Sequence, residues 1–300
     1  MAQHPPAPPQ PYESQYVPAL PHPALRGPVL RYTGYREHAD APLRRRQAPT
    51  GECVLILGFG PPLRLHGPAG PVVSGAFLAG MHDLPVVTEF RGAQEGVQVD
   101  LAPLGAHVLL GRPMSGLTDR CPPVDALGVP ELASLPGRLA EDAGWPARFA
   151  RVDAVLLGLL GASRTRPDDE VAWAWRRLHA TAGRVTVGEL AAGAGWSRRH
   201  LLTRFTGQVG LAPKTAGRVL RFRRASRLLV PTAGDGGRGP ALPPPRIGDV
   251  AAACGYADHA HLVREFRALA GCTPTEYVTG WADGSAPIKT PGPAPDRIGP

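Results

Sequence analysis

The sequence VGELAAGAGW at residues 187–196 has a counterpart, IGDVAAACGY, at residues 247–256. The similarity continues along the chain, because SRRHLLTRFTGQVGLAP at residues 197–213 aligns with DHAHLVREFRALAGCTP at residues 258–274. The offset between the copies is 60 residues in the first pair and 61 in the second. An internal match of this length indicates one structural unit that the chain uses twice.

Each copy is predicted to form a helix, a short turn and a second helix. In the first copy, Thr186 is placed to cap the first helix, and Glu189, three residues later, completes a capping box. Gly195 is expected to end that helix in a left-handed conformation, and Ser197 is expected to cap the next helix. Two helices joined by so short a turn are a helix-turn-helix arrangement.

The second helix of each copy has an apolar side and an outward side when about 100° of rotation is allowed per residue. Leu201 and Phe205 are predicted to face the core in the first copy, and Leu262 and Phe266 in the second. The DNA major groove accepts one helix, and arginine pairs with guanine or with phosphate. The predicted DNA-contacting residues are Ser197, Arg198, Arg199, Leu202, Thr203 and Arg204, followed by Asp258, His259, Ala260, Val263, Arg264 and Arg267.

Positive charge is concentrated in the same part of the chain. Residues 176–277 contain 16 Lys and Arg against 6 Asp and Glu, a net charge of +10. Residues 1–175 contain 15 against 17, a net charge of −2. A basic segment of domain size favours a polyanionic partner such as nucleic acid, although a solvated basic surface without a partner stays open on charge alone.

A long helix is predicted between the two copies, over residues 214–230. Its apolar stripe is expected to consist of Val219, Phe222, Ala225, Leu228 and Leu229. Four arginines are expected to lie mostly outside this stripe, namely Arg221, Arg223, Arg224 and Arg227. A loop rich in Gly and Pro, residues 231–245, then leads to the second copy.

The two units and this intervening helix resemble the AraC/XylS family of bacterial transcription regulators. The resemblance covers about residues 183–280 and depends on the H-L…F…G…P signature of both copies. It implies two helix-turn-helix subdomains bridged by one helix, with recognition helices in successive major grooves about 34 Å apart. It also implies base-contacting roles for Arg198, Arg199, Leu202 and Thr203, and for His259, Ala260, Val263 and Arg264.

Two features depart from the family pattern. Thr203 stands where the family usually has a basic residue, whereas Arg264 keeps that residue in the second copy. The loop 231–245 is also longer than usual.

The first half of the chain has a different pattern. Four runs, at residues 52–59, 72–80, 85–90 and 96–103, have strand length and β-branched content, which predicts a mostly antiparallel, β-rich unit. Helical patterns follow from about residue 104, including 145–161 and 168–181, and Pro136 is expected to break one of them. The segment 103–120 resembles a small sensor-type domain of actinobacterial family members, and no cupin barrel signature is evident.

The 300 residues are therefore predicted to have an α+β fold, with an N-terminal β-rich domain and following helices, and a C-terminal all-α tandem helix-turn-helix domain. The expected divisions are a disordered Pro-rich arm (1–25), a sensor or dimerisation domain (26–182), a DNA-binding domain (183–280) and a disordered tail (281–300).

Two alternatives to a sequence-specific regulator stay open. Some regulators with this DNA-binding half carry a reactive-cysteine domain for alkyl repair, and Cys53 would be the candidate nucleophile. No basic neighbour lowers its pKa, so the competing interpretation is a buried strand cysteine. The second alternative is a DNA-binding protein without sequence preference.

No enzyme activity, catalytic residue, cofactor or metal is expected. The four cysteines form no C-x-x-C pair, and His259 and His261 lack a partner set although Cys254 is near. The expected partner is double-stranded DNA, and a small-molecule effector, RNA polymerase and a second copy of the chain are also considered. No apolar run reaches about eighteen residues and the N-terminus lacks a secretory signal, so a cytoplasmic protein without a membrane partner is expected.

Overall fold

The computed structural model describes residues 12–230 and 246–282, with side chains described as far as residue 279. Its first half contains an antiparallel sheet of seven strands. They are β1 (Glu13–Ala19), β2 (Val29–Gln47), β3 (Cys53–Gly58), β4 (Leu63–Gly67), β5 (Gly70–Ser74), β6 (Ala76–Ala79) and β7 (Val86–Leu101).

Strand β7 lies at the centre of the sheet. It pairs with β2 over nearly its whole length, and its other edge pairs with β4 near one end and with β3 near the other. Val97 and Val99 of β7 are completely buried, as expected for β-branched residues on the packed face of a sheet. The path across the sheet is β1, β2, β7, β3 and β6, and β5 extends β4.

The division of this sheet into strands differs from the sequence prediction. The runs 85–90 and 96–103 form one continuous strand, because Gly92 takes φ 78° and lets the chain pass through the predicted break. The run 72–80 is instead divided into β5 and β6. Strand β2 was not predicted, since its second half consists mainly of charged and small residues.

The predicted disorder of the N-terminal arm is wrong for residues 13–25. Strand β1 pairs with β2 from Glu13, opposite His38, to Ala19, opposite Tyr32. A 3-10 helix then places Leu25 in the core, where it is fully buried. Backbone pairing with β2 supplies the order that the arm's own proline-rich composition does not. The rest of the predicted arm, residues 1–11, lies outside the described residues.

Helices make up the rest of the described chain. Short 3-10 helices at Met114–Leu117 and Val124–Leu127 lie between the first two α-helices. The α-helices are α1 (Pro103–Leu110), α2 (Pro130–Glu141), α3 (Trp145–Ala162), α4 (Asp169–Ala180), α5 (Val187–Gly193), α6 (Arg198–Val209), α7 (Pro213–Leu229), α8 (Ile247–Ala253), α9 (His259–Ala270) and α10 (Pro274–Ala282).

The predicted break at Pro136 does not occur, because α2 continues through it. Leu132, Leu135 and Leu139 lie on one side of α2 and are almost completely buried. A proline inside a helix costs about 3 kcal/mol, and burial of each leucine contributes about 1.5–3 kcal/mol. The three leucines together therefore outweigh the hydrogen bond that the proline removes.

Helix α7 joins the two halves of one continuous apolar core. It contacts α4 and α6 as well as α8, α9 and α10. Two predictions about its surface are wrong: Leu228 is 39% exposed, and Arg223 is buried. Arg223 is buried because it faces the sheet, where Glu52 accepts a hydrogen bond from its guanidinium group.

The α+β class is confirmed, with a sheet and accompanying helices first and helices alone afterwards. Helix α10 extends to Ala282, so the predicted tail begins within a helix. The remainder of that tail, 283–300, and the predicted loop 231–245 lie outside the described residues. No helix in the described part of the chain is both long and apolar enough to cross a membrane.

Candidate nucleic-acid interface

The first helix-turn-helix unit has the local structure that the sequence predicts. The Thr186 hydroxyl accepts a hydrogen bond from the Glu189 backbone N–H at 3.2 Å, and the Glu189 carboxylate accepts one from the Thr186 N–H at 2.8 Å. Gly195 takes φ 66° in the turn. Ser197 then caps α6 by accepting a hydrogen bond from the His200 N–H at 3.2 Å.

The second unit repeats most of this geometry. Gly255 takes φ 75°, and the Asp258 carboxylate accepts a hydrogen bond from the His261 N–H at 2.6 Å, which caps α9. Two differences are the start of α8, where Arg246 makes no side-chain cap, and the second turn, which has one more residue than the first. In both units a left-handed glycine ends the first helix and a side chain caps the second.

An edge-to-face contact between an aromatic ring and a histidine occurs in both turns. The ring centroids of Trp196 and His200 are 4.5 Å apart, and those of Tyr256 and His261 are 5.2 Å apart. This contact was not predicted, although the sequence shows an aromatic residue after the turn glycine of both copies. It fixes the start of each second helix against its turn.

The outward side of α6 is exposed as predicted. Leu201 and Phe205 are completely buried beneath it. Leu202 is an apolar side chain that is 46% exposed, which leaves it free to contact a partner. The predicted contact residues that the structure leaves exposed on this helix and at its cap are Ser197, Arg198, Arg199, Leu202, Thr203 and Arg204.

One of the three arginines on α6 is ion-paired within the protein, and a second lies against α5. Arg204 forms a two-point ion pair with Asp168, with both N–O distances at 2.6 Å, and these hydrogen bonds lower the pKa of the Asp168 carboxyl. The Arg198 guanidinium lies over α5, because a Cβ built on Gly188 would be 3.0 Å from its Nη2. No ion pair among the described residues involves Arg199.

Helix α9 presents a sparser charged surface. Leu262 and Phe266 are completely buried, so the core side is as predicted. The predicted contact residues Asp258, His259, Ala260, Arg264 and Arg267 are exposed, and Val263 is half-buried.

A buried group of charged side chains behind α7 was missed at the sequence level. Glu52 accepts hydrogen bonds from Arg223 and, at 2.9 Å, from Arg31. Arg31 lies 2.6 Å from Asp100 through its Nε. No local pattern could have indicated this group, since Arg223 and Glu52 are 171 positions apart.

Cys53 is a buried strand cysteine. Its side chain is completely buried in β3, and burial raises the pKa of its thiol to about 12. A thiolate nucleophile is therefore disfavoured at this position. In the part of the chain that the structure describes, no group of three or more His, Cys, Asp or Glu side chains is arranged to hold a metal ion.

Comparison with known proteins gives a family match in this half of the chain. Residues 190–280 match a family model described as a helix-turn-helix domain. No curated protein sequence matches the chain.

Solved structures that match the chain include ToxT from Vibrio cholerae O395, at 8% identity and a TM-score of 0.46, with 89% of this chain and 97% of that chain covered. The C-terminal domain of AraT, a response regulator from Geobacillus stearothermophilus, is 20% identical, with a TM-score of 0.32 and coverage of 38% and 88%. The AraC-like transcriptional activator CuxR is 12% identical, with a TM-score of 0.28 and coverage of 68% and 84%.

The family match contains α6, α7, α8 and α9 and most of α5, and it ends within α10. It therefore includes both second helices whose outward sides the structure leaves exposed. Residues 190–280 are therefore a helix-turn-helix domain.

Proposed function

We propose that the protein is a sequence-specific transcription regulator whose helices α6 and α9 are recognition helices that enter successive major grooves. The observation that carries this proposal is the repetition of one capped helix, with the same buried residues and an exposed outward side, in both units. The proposed contact residues are Ser197, Arg198, Arg199, Leu202, Thr203 and Arg204 on the first side and Asp258, His259, Ala260, Val263, Arg264 and Arg267 on the second.

The two recognition helices are proposed to contribute differently. Arg199 on α6 supplies phosphate attraction or a two-point contact with guanine. On α9, Ala260 and Val263 offer apolar contact for a thymine methyl group, and Arg264 supplies the charged contact. The helix N-termini favour a nearby phosphate because their backbone N–H groups point toward it. Binding, and not bond-making chemistry, is the proposed activity.

The N-terminal half is proposed to sense a small molecule or to dimerise, and RNA polymerase is a proposed further partner. A shallow surface groove of about 350 Å³ lies between α1, α2 and α3, and it is the proposed place for a small molecule in this half. Leu109, Val129 and Leu159 supply apolar contacts in the groove, and Arg164 supplies a charge.

The test begins with selection of bound fragments from random DNA by the full chain. The affinity of Arg264→Ala for the selected site is then measured. We expect it to fall about 10- to 100-fold, because a good base contact is worth about 1–3 kcal/mol, and the preference at one base position should relax. Unchanged affinity together with an unchanged sequence preference would rule out the role of Arg264.

Arg138→Ala is the matched control, because it removes the same charge from an exposed position on α2 in the N-terminal half. It should leave the sequence preference intact. If random competitor DNA displaces the protein from the selected site as effectively as the selected site itself does, the alternative of a DNA-binding protein without sequence preference is favoured.

A further inference from the structure

Both recognition helices end at an equivalent glycine that contacts the N-terminal half. Gly210 follows α6 and Gly271 follows α9, 61 positions apart, which is the offset of the repeat. Both take a left-handed backbone, with φ 100° and 67°. In each case a residue before position 120 donates a hydrogen bond to the glycine carbonyl.

At the end of α6, the contact is made by the segment around Met114. The Thr118 hydroxyl donates a hydrogen bond to the Gly210 carbonyl. A Cβ built on Gly210 would lie 3.3 Å from the Cβ of Met81 and 3.4 Å from the carbonyl oxygen of Met114. The backbone at the end of the helix is thus in direct contact with the N-terminal half.

At the end of α9, the contact is made by Arg46 at the end of β2. Its Nη1 donates a hydrogen bond to the Gly271 carbonyl at 2.9 Å and approaches the Ala270 carbonyl at 3.4 Å. A Cβ built on Gly271 would lie 3.2 Å from the Arg46 side chain. The last carbonyls of a helix lack partners within the helix and carry partial negative charge, so a guanidinium group stabilises them.

A helix is rigid over twelve residues, so fixing its C-terminal end also fixes where its N-terminal end points. Helix α7 adds a third connection, because Arg218 lies 2.7 Å from Glu265 of α9 and 3.9 Å from Asp83 of the N-terminal half. The N-terminal half therefore holds both recognition helices from behind, at matching points.

We propose that the N-terminal half acts as a template that sets the separation and angle of the two recognition helices, with Thr118 and Arg46 as its positioning residues. They determine the distance between the two DNA half-sites that the protein accepts, and they touch no DNA. This inference rests on the proposed function, because that function requires two recognition helices whose separation matches successive major grooves.

The test uses the selected site and a series of duplexes in which base pairs are added or removed between its half-sites. The wild type is expected to prefer one spacing sharply. Thr118→Val and Arg46→Met should each reduce that preference about tenfold, as expected for the loss of one strong hydrogen bond. Binding to a duplex with a single half-site, and its base preference, should stay unchanged.

Two matched controls separate positioning from general stability. Arg44→Met removes an exposed arginine from the same strand, which pairs with Glu89 at 3.1 Å. Thr33→Val alters a half-buried threonine within the sheet. Both should keep the wild-type spacing preference. If Thr118 and Arg46 have only a structural role, their variants should have a lower thermal unfolding midpoint and a lower affinity for every half-site spacing. The ratio of affinities among the spacings should then stay unchanged.

The proposed template role is overturned if both variants keep the wild-type ratio of affinities for duplexes of different half-site spacing. It is also overturned if they bind the duplexes of every spacing more tightly than the wild type does. Selection of a lone half-site by the wild type would also overturn it, while sequence-specific DNA binding would stand. Selection of no sequence at all would remove the proposed function itself.

Discussion

The carboxylate of Glu52 is buried at the junction between the two halves. It is 6% exposed and accepts hydrogen bonds from Arg31 and Arg223. Glu52→Gln leaves Arg223 buried without a counter-charge, so we expect a loss of about 3–5 kcal/mol in the free energy of unfolding. Urea denaturation of the full chain measures it.

Glu89→Gln is the comparison for that prediction. Glu89 pairs with Arg44, whose side chain is 63% exposed, so the loss should stay below about 1 kcal/mol. Equal losses in the two variants would show that the buried group contributes no more than an exposed pair.

Helical periodicity correctly predicted the burial of most side chains near the proposed DNA-binding surface, because the burial of each one is decided by neighbours within one helical turn. Leu201, Phe205, Leu262 and Phe266 are all completely buried, as predicted. Arg223 was placed wrongly because its environment is set by a residue of another element. Helix α7 is covered on more than one side, and a single apolar stripe cannot predict that.

At the scale of the element, the capping box of α5 provides a quantitative test. Helix α5 has only seven residues, so a satisfied N-terminus matters to it. Thr186→Ala removes the hydroxyl that accepts from the Glu189 N–H, and we expect a loss of about 1 kcal/mol in unfolding free energy. Chemical denaturation is again the measurement.

Thr203→Ala makes the same chemical change where no cap is lost. The Thr203 hydroxyl bonds back to the Arg199 carbonyl within α6, and alanine is the better helix former there. Stability should stay equal or rise slightly. A Thr186→Ala variant as stable as Thr203→Ala would mean that the capping box does not stabilise the domain.

Elements defined by local chemistry could be predicted, and those defined by pairing could not. The two helix-turn-helix units follow from caps and turn glycines close to each other in sequence. The bounds of β2 and β7 depend instead on their mutual pairing, which runs from Val29 opposite Leu101 to Gln47 opposite Val86. Strand β1 is the clearest case, because its order comes entirely from a partner strand.

For the whole molecule, the acidic and basic parts predicted from composition coincide with the two kinds of architecture. Residues 1–175, which contain the sheet and most of the helices packed on it, carry the slight negative excess, and residues 176–277, which contain both helix-turn-helix units and α7, carry the net charge of +10. The halves nonetheless share one core and several polar contacts, which composition could not show. Because the two halves pack together, the effect of pH on the stability of the whole chain reports on the junction between them.

His179 of α4 lies near the junction, within the electrostatic influence of Arg223, Arg227 and Glu52. Burial, followed by the charge of Arg223, holds the pKa of His179 below its ordinary value of 6.5. Burial lowers the pKa of His82 in the same way. When the pH falls through about 6.5, these histidines gain protons in the unfolded chain before they do so in the folded one. The free energy of unfolding is therefore expected to decrease from pH 7 to pH 5.

His179→Gln removes one of the two groups responsible, so its urea midpoint should decline less than that of the wild type over this interval. His259→Gln, which changes an exposed histidine on α9, should leave the wild-type decline in place. If His179→Gln and the wild type lose stability in parallel, His179 takes up its proton as easily in the folded chain as in the unfolded one. The junction would then be hydrated enough to accept a third positive charge beside Arg223 and Arg227, contrary to the buried environment described above.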